Sequence, residues 1–386
     1  MPRGAQPEPF GPDDRAMSCA QLHQQVILGH HHRGTLFSQA GAREARLVGR
    51  KRTRLLPGAV LISETELSRE PATERCESTG LTRLVYPGKD GWRWWCWRGH
   101  AINYTVSGSG GKGAPFCLVH GFGANSYHWR YNVPALASAG HPTYALCLIG
   151  YGLSAKPAIE YSSELWSELV SDFMREVIGR PSILAGNSIG AIAALGAAYE
   201  APELTRGVAL LNAAGRLDDL QSPSVDKTPD LQEDTGLVAA VKREFRRWVV
   251  NSIFISTKWR IQPILKTVYV NKNRVDASLV KSIYMPACDE DAPEAFQRIS
   301  DAGRLSKRPL TTLLAAAKER KVPLKLVWGM QDPWMQPQKA AQILAFAPEA
   351  TMAEIADGGH CPHDDSPEQV NAALIEWAKQ LDARAM

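Results

Sequence analysis

The segment 186–190 reads Gly-Asn-Ser-Ile-Gly, a G-x-S-x-G motif whose central residue, Ser188, can act as a nucleophile. The apolar run 181–185 before it predicts a buried strand, and the small apolar residues 191–198 predict a packed helix. A serine on the sharp turn between such elements projects its hydroxyl from the edge of a sheet. Side chains at the two glycine positions would collide with the neighbouring strand and helix. The motif therefore predicts a catalytic serine.

A nucleophilic serine needs a general base, and the base needs an acid that orients it. After this motif the expected chain order is serine, acid, histidine. His360 follows the predicted strand 351–355 directly, on a glycine-rich loop that lets its imidazole reach back. We therefore predict that His360 is the base. His363 is the alternative, but its neighbours Asp364 and Asp365 favour a role in bonding the loop.

The predicted acid is Asp332, which lies just past the predicted strand 324–328. Some hydrolases place the acid one strand earlier, but here that strand ends at Asn212 without a carboxylate. Asp218 and Asp219 lie farther along. The alternative for Asp332 is a structural role in the turn before the following proline.

Two backbone N–H groups are needed to stabilise the oxyanion that forms when an ester is attacked. We predict that they belong to Ile189, after the nucleophile, and to Phe122, in a loop that follows another predicted strand. His120 is predicted to bond that loop rather than to act as a second base. The tract 30–32 holds three histidines without a cysteine or carboxylate partner at ligand spacing, so no metal site is expected there. The sequence shows neither a metal-ligand cluster nor a phosphate-cradling glycine loop, so no cofactor is expected. Serine at the nucleophile position favours acyl transfer to water, the cleavage of an ester.

Buried apolar strands alternate with helices from about residue 115 onward, which predicts an α/β fold with a parallel sheet covered on both faces. The aromatic segment 92–98 and the segment 101–106 predict an antiparallel hairpin before it, with the tryptophans covering a sheet edge. Ligands of such sheets bind beyond the carboxyl ends of the strands, where all the candidate residues fall. Helices are predicted at 126–139, 164–178, 337–346 and 367–381.

More than a hundred residues separate the strand that ends at Asn212 from the one that begins at Leu324, far more than a crossover needs. Helical patterns such as 237–250 and 259–265 predict a helical cap over the site. The predicted organisation is an N-terminal extension, a first core part, a cap and a second core part, at residues 1–80, 81–215, 216–320 and 321–386.

Composition excludes several classes of protein. The net charge of +4 is too small and dispersed for nucleic-acid binding, and no apolar run approaches the ~20 residues of a membrane span. Seven widely spaced cysteines favour reduced thiols. Residues 1–80 are rich in arginine and lack periodicity, which fits an organelle transit peptide or, equally, a disordered extension or a mispredicted start.

Several short motifs occur along the chain from residue 120 onward. They are H-G-F-G-A at 120–124, H-W-R-Y-N-V-P at 128–134, G-N-S-I-G at 186–190, V-A-L-L-N at 208–212, W-G-x-x-D-P-W at 328–334, G-H-C-P-H-D at 359–364, and V-Y-V with V-D and L-V in the predicted cap at 268–280. Together these stretches resemble the plastid pheophytinase group of the α/β-hydrolases. The resemblance implies an α/β-hydrolase fold: a mostly parallel, twisted sheet with helices on both faces and a helical cap inserted between two late strands.

The same resemblance implies a Ser-His-Asp triad at Ser188, His360 and Asp332, and hydrolysis of the phytyl ester of pheophytin in the chloroplast during chlorophyll degradation. Two positions depart from the family pattern: Cys147 stands where an aspartate is usual, and Ala191 where a second glycine is usual. The expected partner is a bulky apolar ester; a general carboxylesterase or lipase, and a ligand receptor without hydrolytic activity, are the alternatives. The basic, aromatic segment 242–248 predicts either peripheral contact with an anionic membrane or a solvated helix face.

Overall fold

The computed structural model describes residues 73–75, 82–84, 92–217, 258–289, 291–305 and 307–383. The strands in these residues are β1 (Thr73–Arg75), β2 (Thr82–Leu84), β3 (Trp92–Trp97), β4 (His100–Ser107), β5 (Phe116–Val119), β6 (Thr143–Leu146), β7 (Ser182–Asn187), β8 (Thr205–Leu211), β9 (Leu324–Gly329) and β10 (Thr351–Ile355). The α-helices are α1 (Asn132–Ser138), α2 (Ser163–Phe173), α3 (Ile189–Glu200), α4 (Lys258–Val268), α5 (Ala277–Ala287), α6 (Ala292–Leu305), α7 (Leu310–Glu319), α8 (Pro337–Phe346), α9 (Pro362–Asp365) and α10 (Pro367–Ala383).

Eight strands form the main sheet, in the order β10-β9-β8-β7-β5-β6-β4-β3, and β1 pairs with β2 separately. The pairs from β10 across to β6 are parallel, while β4 runs antiparallel to both of its neighbours. The predicted α/β class, the mostly parallel sheet and the N-terminal hairpin are therefore confirmed.

Alternate side chains of the parallel strands pack in two separate cores, one on each face of the sheet, because successive side chains of a strand point to opposite faces. In β5, Cys117 and Val119 join the core beneath α2, α3, α7 and α8, while Phe116 and Leu118 join the core beneath α1 and α10. Both faces of the sheet are thus covered by helices. This explains why the strands read as continuous apolar runs.

Tryptophans of the hairpin close one edge of the sheet. Trp95 and Trp97 are buried, and their indole N–H groups donate to Glu176 at 3.0 Å and Asp172 at 2.9 Å. Since buried indoles need a hydrogen-bond acceptor, these carboxylates suit them to structural packing rather than to ligand binding.

One predicted helix is interrupted. The range 126–139 contains a 3₁₀ turn, Ser126–Trp129, followed by α1. Pro134 has no N–H to donate to the carbonyl of Arg130, so one continuous α-helix cannot run through this segment. The predicted helix at 164–178 begins as α2 and ends in a π-helical turn, Met174–Ile178.

The helices α4 and α5 pack on each other around a small core of their own, which includes Leu265, Tyr269 and Leu279. By contrast α7, within the range 216–320 assigned to the cap, packs on α3 and contributes Leu310 and Leu313 to the main core. The predicted helix 237–250, the segment 242–248, the residues Asp218 and Asp219, and the tract 30–32 lie outside the described residues.

Candidate active site

Ser188 occupies a strained turn between β7 and α3, with φ 55° and ψ −118°. A Cβ atom on Gly186 would lie 2.2 Å from the carbonyl oxygen of Gly190, and one on Gly190 would lie 2.4 Å from the carbonyl oxygens at the end of β5. Neither position can therefore hold a larger residue. Non-glycine residues in such conformations persist only where the surroundings enforce them, and they concentrate at functional sites.

His360 and Asp332 meet at the same end of the sheet, although 28 residues separate them. The Nδ1 atom of His360 lies 2.7 Å from Oδ2 of Asp332, and both residues are buried. The other carboxylate oxygen accepts the N–H of Trp334 at 2.7 Å. Burial acts to raise the pKa of Asp332, but the hydrogen bond and charge of His360 and the backbone N–H groups that follow outweigh it and lower the pKa. Asp332 is therefore an ionised acceptor that can orient the imidazole.

Asn212 is a site residue whose role the sequence did not reveal. Its Nδ2 donates to Asp332 Oδ2 at 2.8 Å, and its Oδ1 accepts the N–H of Gly329 at 2.8 Å. The amide thus holds the carboxylate that faces His360 from the end of the neighbouring strand. Asn212 stands where some hydrolases carry the acid, and that position was the signal that could have identified it.

The elbow and the histidine loop are joined next to the serine. Asn187 Nδ2 donates to the carbonyl oxygen of His360 at 2.8 Å and to that of Leu211 at 3.2 Å. Among the described residues, the hydroxyl of Ser188 makes no hydrogen bond with the His360 ring. Hydrogen bonds of this kind commonly shorten only when substrate binds, so the contact between serine and imidazole stays a prediction.

Of the two predicted oxyanion donors, Ile189 follows Ser188 in the chain and Phe122 follows Gly121, which packs against the elbow. In the described part of the chain, the N–H groups of Phe122 and Ile189 donate no hydrogen bond to the protein. Gly121 lies so close to the elbow that a Cβ atom there would be 3.2 Å from that of Ser188. Both amides are thus available to an oxygen that develops negative charge.

His120 fixes the loop that carries Phe122. Its Nε2 accepts the N–H of Leu148 at 3.0 Å, so Nδ1 carries the proton and donates to the carbonyl of Gly121 at 2.8 Å. Burial lowers the pKa of His120 to about 4, against the opposing effect of the Gly121 bond. His120 is therefore a neutral residue that bonds its loop, as the sequence indicated.

His363 differs from the sequence-based interpretation. It is fully buried with its ring 4.1 Å from that of Trp129, and neither ring nitrogen bonds to another described residue. Burial, together with the positive charge that nearby histidines can carry, lowers its pKa. Its environment thus suits neither the loop-bonding role nor an exchangeable proton.

The two departures from the family pattern are both buried. Cys147 Sγ lies 3.3 Å from the hydroxyl of Ser126 and 3.5 Å from its N–H, and burial raises the pKa of the thiol. Ala191 lies in the first turn of α3, within the main core. The five cysteines among the described residues are all unpaired.

Apolar side chains surround the site. Phe122 and Trp334 are 49% and 55% exposed, which is unusual for large aromatic residues, and the Trp334 ring lies 4.9 Å from that of His360. Phe296 of α6 lies 5.4 Å from Phe122. These residues can bind an apolar group beside the reacting atoms. Within the described ranges no helix is long and apolar enough to cross a membrane, and no cluster of three or more potential metal ligands occurs.

Comparison with known proteins identifies a family and several relatives. A model of the Alpha/beta hydrolase family matches residues 118–373. The chain is 29% identical to chloroplastic pheophytinase of Arabidopsis thaliana in an alignment of 321 positions that covers 73% of this chain and 65% of that protein. It is 24% identical to bifunctional epoxide hydrolase 2 of Rattus norvegicus, over 70% of this chain and 52% of that one. The chain thus spans less than two thirds of either relative.

The chain also resembles solved structures, which cover a similar share of its length. A serine hydrolase involved in carbazole degradation superposes with a TM-score of 0.58 at 21% identity, covering 75% of this chain and 98% of that one. An esterase from Thermogutta terrifontis gives a TM-score of 0.54 at 19% identity, over 81% of this chain and 99% of that one. Likeness at such low identity establishes a shared fold.

Proposed function

The chain belongs to the Alpha/beta hydrolase family, and we propose that it is a serine esterase that cleaves a bulky apolar carboxylic ester. The observation that carries this proposal is the 2.7 Å contact between His360 Nδ1 and Asp332 Oδ2, at the carboxyl end of the strands, where β7 is followed by the strained Ser188. A histidine oriented by an ionised carboxylate beside a serine elbow is the arrangement that acyl transfer needs.

In the proposed reaction Ser188 Oγ attacks the ester carbonyl while His360 Nε2 takes its proton. Asp332 holds the imidazole in the tautomer with Nδ1 protonated and stabilises the positive charge that the ring gains. The N–H groups of Phe122 and Ile189 hold the oxyanion, a contribution worth ~3 kcal/mol of barrier for one donor. Collapse of the tetrahedral intermediate expels the alcohol, which receives the proton from His360. His360 then activates a water molecule that releases the acid.

The substrate that we propose is the phytyl ester of pheophytin or of a related chlorophyll pigment. Support comes from the pheophytinase relative and from the exposed aromatic residues Phe122 and Trp334 beside the site. Serine at the nucleophile position favours an acyl-enzyme over the chemistry that aspartate supplies elsewhere on this fold. We also propose that the protein works in the chloroplast, as the name of that relative states for it, and that it contacts membranes peripherally.

Two measurements test the function. The full chain is incubated with pheophytin, chlorophyll and a series of simple esters, and the free acids are measured. We expect the wild type to release pheophorbide from pheophytin and Ser188→Ala to release none. A fluorophosphonate probe should label the wild type at Ser188.

The outcomes separate the alternatives. Hydrolysis of simple esters without tetrapyrrole cleavage would identify a general carboxylesterase or lipase. A folded protein that neither hydrolyses esters nor reacts with the probe would be a ligand receptor. Pheophorbide formation by Ser188→Ala would refute the assigned nucleophile.

A further inference from the structure

Three of the sequence stretches singled out above meet at one buried side chain that the reaction does not use. Arg130 lies in the first stretch, at 128–134, and its side chain is fully buried. Nε and Nη2 donate to the two carboxylate oxygens of Asp364, at 2.7 and 3.2 Å. Nη1 donates to both oxygens of Asp276 at 2.9 Å, and Nη2 also donates to the carbonyl oxygen of Arg274 at 2.8 Å. Each of the three guanidinium nitrogens therefore donates to at least one acceptor.

The two carboxylates belong to different parts of the fold. Asp276 is the N-cap of α5, where its Oδ1 accepts the N–H of Leu279 at 2.7 Å. Asp364 lies four residues after His360 and also accepts the hydroxyl of Tyr269 at 2.8 Å. Arg130 consequently joins the segment 268–276, which connects α4 to α5, to the loop 359–365, which carries the proposed base.

Further bonds join the same two segments. Asp365 accepts the N–H groups of Val270 and Asn271, both at 2.8 Å, and that of Gly359 at 2.8 Å within its own loop. The N–H of His360 donates to the carbonyl oxygen of Val268 at 2.9 Å. The two segments approach so closely that a Cβ on Gly359 would lie 2.1 Å from that carbonyl oxygen.

His360 is thus held from two sides through its backbone. Its N–H is bound by the segment 268–276 and its carbonyl by Asn187 beside the nucleophile. If the segment 268–276 moved relative to Asn187, the His360 peptide between them would rotate, and the imidazole would move with it. Small errors of this kind are costly, because catalytic groups must be aligned to within a fraction of an ångström.

We propose that Arg130 and Asp276 are positioning residues that bind the segment 268–276 to the His360 loop as one unit, so that the imidazole is aligned only while this part of the cap is seated. This inference rests on the proposed function, because it assigns a role to His360 as the base. It extends that function by making the cap part of the scaffold of the catalytic base, in addition to a cover for substrate.

Asp276→Asn is the central test. Asparagine has the same shape and is an equally good N-cap, so α5 keeps its first hydrogen bond while the charge that faces Arg130 is removed. Arg130→Lys keeps the positive charge but cannot supply the planar fork of donors. Glu368→Gln is the matched control, because Glu368 accepts Arg274 at 2.8 Å in a neighbouring ion pair that does not involve the histidine loop.

Two readouts are combined on the full chain. Turnover is measured with p-nitrophenyl acetate, which is too small to need the cap, and with a long-chain ester. For Asp276→Asn and Arg130→Lys we expect kcat to fall about 10–100-fold on both esters, with KM changed less than about threefold. Hydrogen exchange should accelerate together in peptides that cover 268–276 and 359–365. Glu368→Gln should leave kcat and the exchange of 359–365 unchanged, and any faster exchange should be confined to 268–276, where Arg274 lies.

Several results would overturn the proposal. One is faster exchange confined to 268–276, since the histidine loop would then hold its own position. Another is unchanged kcat despite faster exchange in both segments, and a third is a loss limited to KM for the long-chain ester, which would indicate a role in shaping the substrate pocket. If the wild type hydrolyses no ester, the proposed function fails and the positioning role fails with it. The exchange data would still decide whether the two segments move as one unit.

Discussion

Asn212 offers the sharpest test of how the site is built. Replacing it with glycine removes the amide that donates to Asp332 Oδ2 and accepts from Gly329, both at 2.8 Å. Glycine is the appropriate replacement because Asn212 has a φ of 41°, in the left-handed region where alanine would add strain of its own. The substitution therefore removes these two hydrogen bonds and a third, longer one from Nδ2 to the carbonyl oxygen of Gly329 at 3.2 Å, without adding backbone strain.

The magnitude follows from what is lost. A hydrogen bond to a charged acceptor contributes about 1.5–3 kcal/mol, and a buried N–H left without an acceptor costs about 1–3 kcal/mol. We expect the free energy of unfolding of Asn212→Gly to fall by about 3–5 kcal/mol. Loss of the triad aspartate itself lowers kcat ~10⁴-fold in a well-studied serine protease, so a carboxylate that is retained but loosely held should cost less, about 10–100-fold.

The assay compares kcat and the free energy of unfolding with those of Asn132→Ala. Asn132 lies in α1 and donates to Oδ1 of Asn371 at 2.7 Å, a buried bond away from the acid. This control should lose stability without losing kcat. A folded Asn212→Gly with the kcat of the wild type would refute the view that Asn212 holds Asp332, as would an equal loss of kcat in Asn132→Ala.

Three further predictions follow from the same geometry. Gly186→Ala should lower the free energy of unfolding, measured with denaturant, by ~3 kcal/mol, because its Cβ would lie 2.2 Å from a backbone oxygen of α3. Its control, Gly110→Ala, should leave the free energy of unfolding unchanged, because no atom lies within 4 Å of the added Cβ. Gly121→Ala should lower kcat about 10–100-fold with the fold retained by circular dichroism, because its methyl would lie 3.2 Å from the nucleophile's Cβ; unchanged kcat would contradict the assigned oxyanion geometry. Burial lowers the pKa of His120 to about 4 and of His128 to about 3, so the unfolded state binds more protons below pH ~6.5 and stability falls as the pH is lowered from there toward 4. Each of these two histidines should lower the free energy of unfolding by ~2 kcal/mol between pH 8 and pH 5. A free energy of unfolding that does not change over that range would refute the buried neutral state.

Much of the fold could be predicted because its signals are local. The apolar run of β7 and the small residues of α3 specify a strand and a packed helix from their own composition. The predicted bounds of α8 agree with the structure for the same reason. The prediction of one helix over 126–139 was wrong, although Pro134, which cannot donate to the carbonyl four residues earlier, was a local signal of the break before α1.

Long-range polar contacts could not be predicted in this way. Arg130 and Asp364 lie 234 residues apart, and nothing in either local pattern specifies the partner. Asn212 was noticed only as the absence of a carboxylate, since an amide at the end of a strand has many ordinary roles. The helix α7 fell within the predicted cap because the cap was defined by the length of chain between two strands, which does not reveal which core each part of the insertion joins.

The position of the insertion bears on how the proposed specificity can change. The proposed nucleophile and oxyanion amides precede it in the chain, and the proposed acid and base follow it, so we expect that parts of it can be exchanged between homologous proteins without changing the order of these groups along the chain. A chimaera made at this junction should nevertheless retain residues 268–276, since they hold the peptide of His360, and α7, since it packs on α3 in the main core. The transplantable module is therefore smaller than the whole insertion.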